Sequence, residues 1–316
     1  MKEILLLLAM FWNVENYFDP FDTPGKNDEQ FTAEGEYFWG WRKFEKKRDD
    51  IAKTIILAAD TYGQFPALVG LCEVESHFAL RHLLEHTPLA RAGYNFIHRE
   101  SPDSRGIDVA LLYREEIFTP LEEKFYGVDF PTREVLHVKG VVNSLDTIHV
   151  FVNHWPSKLG GEKASAPRRM AVSDRVKSVV DSIMTTAPQA DIILMGDLND
   201  GYASDAVRNL APLVNLARWA EGAEGTHKYQ GGWNIIDHFS VSEGLLTSDT
   251  ASRAGAFSPQ WLRCNRQMEI FAPQWLLVPD ETYMGVKPNR TLQGPRYLGG
   301  VSDHLPIILK IYGLEY

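Results

Sequence analysis

At 316 residues, with 44% hydrophobic and 23% charged side chains, the chain has the make-up of a globular protein able to bury a sizeable core. A net charge of −10 repels polyanions at long range, which excludes binding driven by a broad basic surface; a phosphate-bearing partner has to be held by local groups. Cys72 and Cys264 are the only cysteines, too few for a disulfide framework and without the paired spacing of structural zinc.

The chain opens on MKEILLLLAMFW, an apolar run with no A-x-A-like cleavage site. It falls far short of the roughly 20 residues needed to cross a bilayer. It reads as a buried strand over residues 4–12 of a protein without a membrane span, cytoplasmic by default, with a longer extracytoplasmic precursor left open. In KFEKKRDDIAKTIILAA (43–59) the charges come first and the apolar residues recur at helical spacing, so a helix is expected. ALVGLC (67–72), closed by Glu73, reads as a strand buried on both faces. IDVALLYR (107–114) and TIHVFVN (147–153) are further strands. Pro167 to about Thr186 reads as a helix with Pro in its first turn, Arg168 and Arg169 exposed, and Met170, Val172, Val176, Val179, Val180 and Ile183 facing the core. DIILMG (191–196) and LPIILKIY (305–312) complete the strands. Residues 243–298 read as long loops with one strand candidate, EIFAPQWLLV (269–278). Aromatics there (Phe257, Trp261, Phe271, Trp275) suit base stacking or lipid contact, with core packing the plainer reading.

The informative feature is positional. Five buried strands each carry a ligating or acid–base residue at one end: Asn13, Glu73, the Asn153–His154 pair, Asp197 with Asn199, and the Asp303–His304 pair. One such residue is an ordinary cap or turn former. Several together at one sheet rim bring carboxylates and imidazoles into a shared cleft, because charged groups are rarely buried without partners.

The segments FWNVENYFD, VGLCEVE, SRGIDVALLYR, VNHWPSK, MGDLND, WNIIDHF and SDHLP, in this order across nearly the whole chain, resemble the endonuclease/exonuclease/phosphatase superfamily, deoxyribonuclease I-like. Gly-Asp-x-Asn and Ser-Asp-His are its most specific signatures. The resemblance implies an α/β (α+β) fold, a four-layer α/β/β/α sandwich of two mixed sheets flanked by helices, as a single domain over residues 1–316. It also implies a Mg²⁺ cofactor, replaceable by Mn²⁺, with Glu73 as main ligand and Asn13 and Asp303 assisting. The catalytic set it implies is His154, Asp197, Asn199, Asp237 and His304. Asp197 would orient or deprotonate the attacking water. Asn199 would bind that water and a phosphate oxygen, and His304, oriented by Asp237, would contact phosphate. His154 would be a second phosphate contact or the proton donor to the leaving group, with Asp108 as its carboxylate partner. Arg105 is a substrate-phosphate candidate, a surface Arg being the plain alternative.

Two departures bear on substrate. Asn234 stands where abasic-site endonucleases favour Arg, and Ser157 where they carry Asn, so tight abasic-DNA recognition is not expected. The leading expectation is a metal-dependent phosphodiesterase, with a broad nuclease acting on DNA or RNA first. The alternative is a phosphatase or phospholipase-type enzyme for inositol phosphates, sugar phosphates or sphingomyelin-like head groups. A non-catalytic binding module is disfavoured, since none of Glu73, Asp197, Asn199 or His304 is lost. The expected state is a monomer without a stable protein partner.

Overall fold

In the computed structural model, which describes residues 2–144, 146–246 and 262–315, the opening apolar run is the hub of the fold. Strand β1 (Lys2–Tyr17) outlasts the expected residues 4–12 and carries Asn13 within it. It pairs in parallel with β2 (Leu68–Val74) after the crossover helix α1 (Trp41–Tyr62). Helix α1 ends on Gly63, whose φ of 75° is the left-handed cap that glycine adopts without a Cβ penalty. Helix α2 (His77–Glu85) follows, started by Ser76 accepting the Ala79 N–H. Strands β3 (Tyr94–His98) and β4 (Asp108–Arg114) extend the sheet beyond β2, both antiparallel.

The second sheet is built from β5 (Phe118–Tyr126), β6 (Val135–Val142), β7 (Asp146–His154) and β8 (Asp191–Asp197), closed by β9 (Asp237–Val241) and the short strand Val214–Asn215. Only β7 and β8 run parallel, joined by helix α3 (Glu162–Thr186). The last strand, β10 (Ile307–Glu315), returns antiparallel to β1 in the first sheet. The result is an eight-stranded and a six-stranded mixed sheet packed face to face, the expected α/β/β/α arrangement. Close approach between them depends on Gly70 of β2, where a Cβ would stand 2.5 Å from the Met195 sulfur of β8. The inner faces (Phe11, Val150, Ile193, Phe239 among them) belong to one core with the α1 residues Phe44, Ile51 and Ile55. Val172, Val176 and Val180 of α3 pack on the outer face of the second sheet against Phe151, Ile192 and Leu194.

Three expectations need correction. Helix α3 starts at Glu162 and runs through Pro167, its sixth residue, where one intrahelical hydrogen bond is forgone. Arg169 is fully buried, not exposed. The strand expected over 269–278 is broken at Pro273, which has no N–H for a ladder: Met268–Ile270 joins the first sheet, and Leu277–Pro279 pairs with Val286–Pro288. Phe271 is buried and Trp275 half-buried beneath Lys53. Phe257 and Trp261 lie outside the described residues.

Candidate functional site

At one end of the two sheets the strands stop on polar residues that share a cleft of about 420 Å³. Its walls include Asn13, Glu73, His154, Asp197, Asn199, Asp303 and His304. Two neighbouring bulges aim the first of these. The β1–β2 register jumps between Asn13 and Tyr17, and both ladders of β2 skip Glu73, which is the extra residue between Cys72 and Val74. Glu15, Asn16 and Glu73 accordingly take φ of 49°, 58° and 62°, and Asn199 joins them at 51°. Left-handed conformations in non-glycine residues cost on the order of 1–2 kcal/mol each and persist where surrounding contacts impose them.

Those contacts are specific. Glu73 accepts from Asn13 Nδ2 at 3.2 Å and from the Asn16 N–H at 2.9 Å. Asn13 Nδ2 also donates to Asp197 Oδ2 at 3.0 Å, while its oxygen accepts the Glu15 N–H. Asn13 therefore brackets two carboxylates with its amide nitrogen, and the oxygen expected to ligate a metal is already engaged. Asp197 Oδ1 accepts the Asn199 N–H at 2.8 Å, and Asn199 Nδ2 donates to the Trp155 carbonyl at 3.0 Å. The Gly-Asp-x-Asn stretch is thus both an Asx turn and a cleft wall.

Two imidazoles face Asp197 Oδ2. His154 Nε2 lies 3.7 Å away and is 3.9 Å from Glu73 Oε1; His304 Nε2 lies 3.8 Å away. The Nδ1 of His304 meets Asp237 Oδ2 at 2.8 Å, the expected orienting pair. Burial opposes the His304 cation, but the charges of Asp237, Asp197 and Asp303 outweigh it and hold the ring well above its ordinary range. His154 goes the other way: burial, then the Arg133, Arg105 and His304 charges, hold it well below and so neutral. Burial and the Asp237 charge push the Asp197 carboxyl up to about 7, against the pull of His304 and the Asn13 hydrogen bond.

The Asp108–His154 pair is not formed. Asp108 Oδ2 accepts the Ser101 N–H at 3.1 Å, and His154 Nδ1 has no hydrogen-bond partner. Strand β4 begins at Asp108, and one of its carboxylate oxygens is taken by the loop that leads in, while Oδ1 is buried without a hydrogen-bond partner. Arg105 does line the cleft and donates to Asn16 Oδ1. Asp303, on the same cleft, is bound by Arg290 Nη2 at 3.0 Å and lies 4.0 Å from His227 Nε2. Burial would raise its pKa, yet His304, Arg290 and His227 keep it lowered.

The sequence reading missed Asn16, Arg133, His227 and Arg290, all on the cleft. Asn16 lies in the quoted FWNVENYFD stretch and was within reach. Arg133 and Arg290 come from connecting segments with no pattern to mark them, and His227 opens a strand of only three residues, too short to show a period. Among the described residues three sets of donor atoms lie within 4.8 Å of one another: Cys72, His154 and Asp197; Asp197, Asp237 and His304; and His227, Asp303 and His304. The cleft also offers Glu73, whose carboxylate is oriented by two N–H donors. The carboxylates of Glu73, Asp197 and Asp303 are hard oxygen donors on the cleft wall, a chemistry that fits a divalent cation such as Mg²⁺.

A cationic imidazole fixed by a carboxylate, a second carboxylate between two imidazoles and further acids thus share one cleft. The chain belongs to the Endonuclease/Exonuclease/phosphatase family, whose profile it matches over residues 8–312, and is a phosphoester-hydrolysing enzyme of that family. Its structure is similar to that of a family protein from Bacteroides thetaiotaomicron, with TM-score 0.61 and 16% identity over 100% of this chain and 99% of that one. It is similar also to a mannosyl-6-phosphatase from the same organism, with TM-score 0.60 and 16% identity over 96% of this chain and 99% of that one. The TDP2 of D. rerio, solved with a single-strand DNA product, gives TM-score 0.53 and 18% identity over 98% and 99% of the two chains. No curated protein sequence matches the chain. Among the described residues no helix is long and apolar enough to cross a membrane.

Proposed function

We propose that this cleft hydrolyses phosphoesters with Mg²⁺ as cofactor, by in-line attack of water on phosphorus. The observation that carries the reading is the position of Asp197, with its Oδ2 3.7 Å and 3.8 Å from the Nε2 atoms of His154 and His304. A carboxyl near pH 7 in affinity is matched to taking a proton from water at neutral pH. Asn199 is placed to hold that water or a phosphate oxygen without adding charge. The His304 cation, kept in place by Asp237, donates to a non-bridging oxygen and strengthens its hold as charge develops there. Neutral His154 serves as a hydrogen-bond donor to phosphate, and its depressed basicity speaks against the leaving-group acid role. Glu73 would hold the cation with Asp303 of the same cleft, and the chemistry supplied there is neutralisation of phosphoryl charge.

The fold neighbours are named for sugar-phosphate and DNA chemistry alike, so the scaffold leaves diester and monoester open. The test is a Mg²⁺-supplemented assay on p-nitrophenyl phosphate and bis-p-nitrophenyl phosphate. Activity is expected to vanish in excess EDTA and return with Mg²⁺ or Mn²⁺. Asp197→Asn should lower kcat by about 100-fold or more with the fold intact by circular dichroism. Full activity in EDTA, or normal turnover in the variant, would overturn the mechanism.

A further inference from the structure

We propose that Arg105 and Arg133 form a paired guanidinium clamp that makes this site a phosphomonoesterase for compact, polar phosphate esters. The proposal rests on the hydrolytic reading of the cleft given above and names its substrate class.

Arg133 comes from the connection between β5 and β6, and its guanidinium is fixed before any ligand arrives. Nη1 reaches Asp103 Oδ2 at 3.1 Å, and Nη2 donates to the Trp155 carbonyl at 2.8 Å. That same carbonyl accepts Asn199 Nδ2 at 3.0 Å, so the guanidinium and the Asn199 amide sit side by side. The side chain is 11% exposed, and Nε is buried with no partner. Asp103 positions Arg105 as well, its Oδ1 accepting the Arg105 N–H at 3.0 Å. The Arg105 guanidinium then reaches Asn16, whose N–H holds Glu73. One carboxylate thus places two cations on the cleft wall, one beside Asn199 and the other linked to Glu73.

A surface ion pair would explain Arg133–Asp103 alone. It does not explain why both guanidinium groups line the cleft, nor why both press on His154. On a chain of net charge −10, two cations placed this way are matched to a local, highly charged anion. A phosphomonoester carries about −1.5 to −2 at neutral pH and three terminal oxygens, one more than a diester offers. A fixed guanidinium is the group that recognises the additional oxygen.

Size and closure agree. The cleft of about 420 Å³ lies in the range of single small-molecule sites. Gln30, Phe31, Tyr37, Leu292 and Gly294 also line it, with Phe31, Tyr37 and Leu292 packed into one cluster. Phe31 is buried in its own aromatic cluster, stacked on Phe18, which leaves its face unavailable to a base. The lining is otherwise mostly polar, suited to a hydroxyl-rich alcohol. In the reaction the water oxygen bonds to phosphorus as the ester P–O bond breaks. The proton of the water passes to Asp197, and the alcohol leaves with a solvent proton, giving alcohol and inorganic phosphate.

The experiment compares kcat/KM for p-nitrophenyl phosphate and a hexose 6-phosphate with that for bis-p-nitrophenyl phosphate and a single-stranded oligonucleotide, all with Mg²⁺. The monoesters are expected to lead. Arg133→Met should lower monoester kcat/KM by about 100-fold and diester kcat/KM by no more than about fivefold, with Arg133→Lys recovering part of the monoester loss. Should Arg133→Met fail to fold, Arg105→Gln provides the same comparison. Equal losses on both esters, or a wild-type preference for diesters, would overturn the clamp alone. No hydrolysis of any ester would overturn the hydrolase reading and the clamp with it.

Discussion

His304 shows how much of the site depends on single atoms. Its Nδ1 contact with Asp237 fixes the ring, and the carboxylate charge is the largest influence that keeps it cationic against burial. Asp237→Asn keeps the shape and removes the charge. Kcat is expected to fall by about 10–100-fold, the usual size of an orienting partner. Because the pKa of His304 is held up by that charge, its loss should also move the basic limb of the kcat–pH profile to lower pH. A uniform drop with an unmoved limb would sink this account. At this scale the sequence was most legible where short motifs carry the chemistry: Glu73, His154, Asp197, Asn199 and the Asp303–His304 pair all reach one cleft. It was least legible for Arg133 and Arg290, because an Arg in a loop carries no periodicity and its partners lie far away in the chain. Asp108 failed for a related reason: a carboxylate at a strand start is claimed by the nearest free backbone N–H.

At the level of elements, the ends of β7 and β8 are tied by a residue from α3. Arg169 is fully buried and binds Asp200 Oδ2 at 3.0 Å and Ser165 Oγ at 2.9 Å, with Glu162 and the Pro156 carbonyl also in reach. Pro156 follows His154 closely and Asp200 follows Asn199, so this one guanidinium spans the ends of both strands. Arg169→Met would leave Asp200 with only Lys158 as a charged partner. Unfolding free energy in urea should fall by about 3–5 kcal/mol, as for other broken buried pairs. A loss within experimental scatter would show the network to be dispensable. Strands were legible where a continuous apolar run leaves little alternative, as in β1, β2, β4, β7, β8 and β10; β3, β5, β6 and β9, whose runs are short or broken by polar residues, were not expected, and α3 was misjudged at its start: its first turns are polar, and no hydrophobic period marks them. The same polar start hid Arg169, since a pair of adjacent arginines reads as a solvated face until the fold supplies an acid.

Across the whole molecule, buried acids outnumber what neutral pH favours. Burial, with the neighbouring Asp19 and Asp28, pushes Glu75 up to about 10, and burial pushes Asp191 up to about 7 and Glu15 up to about 8. Each is raised in the folded state, so the fold binds these protons first and gains stability as pH falls through that range; the gain is lost as pH rises. Buried His98, His137 and His149 have the opposite sign, held by burial to about 3, 3 and 4. Their unfolded forms take protons only below about 6.5. Between about pH 8.5 and 6.5, therefore, the acids act together with His304, whose raised pKa has the same sign, while Lys47, held by burial down to about 8, opposes them only at the upper end; Tm should rise on acidification before the other histidines reverse the trend nearer about pH 5. A Tm flat or falling from pH 8.5 to 6.5 would contradict this balance. The bulk charge, read from composition alone, anticipated an acidic protein; only the fold reveals that part of the acid is interior.

The two bulges that present Glu73 and Asn16 have a consequence for anyone improving this protein. Four cleft residues sit in a backbone region that glycine would occupy more cheaply, and three carboxylates face one another across a small space. Selection for heat resistance alone would therefore find its easiest gains at the reactive end, with substitutions such as glycine at Glu73. Each would harden the scaffold while erasing the chemistry. Robust variants have to be sought at the far ends of the strands, under selection that demands turnover as well as survival.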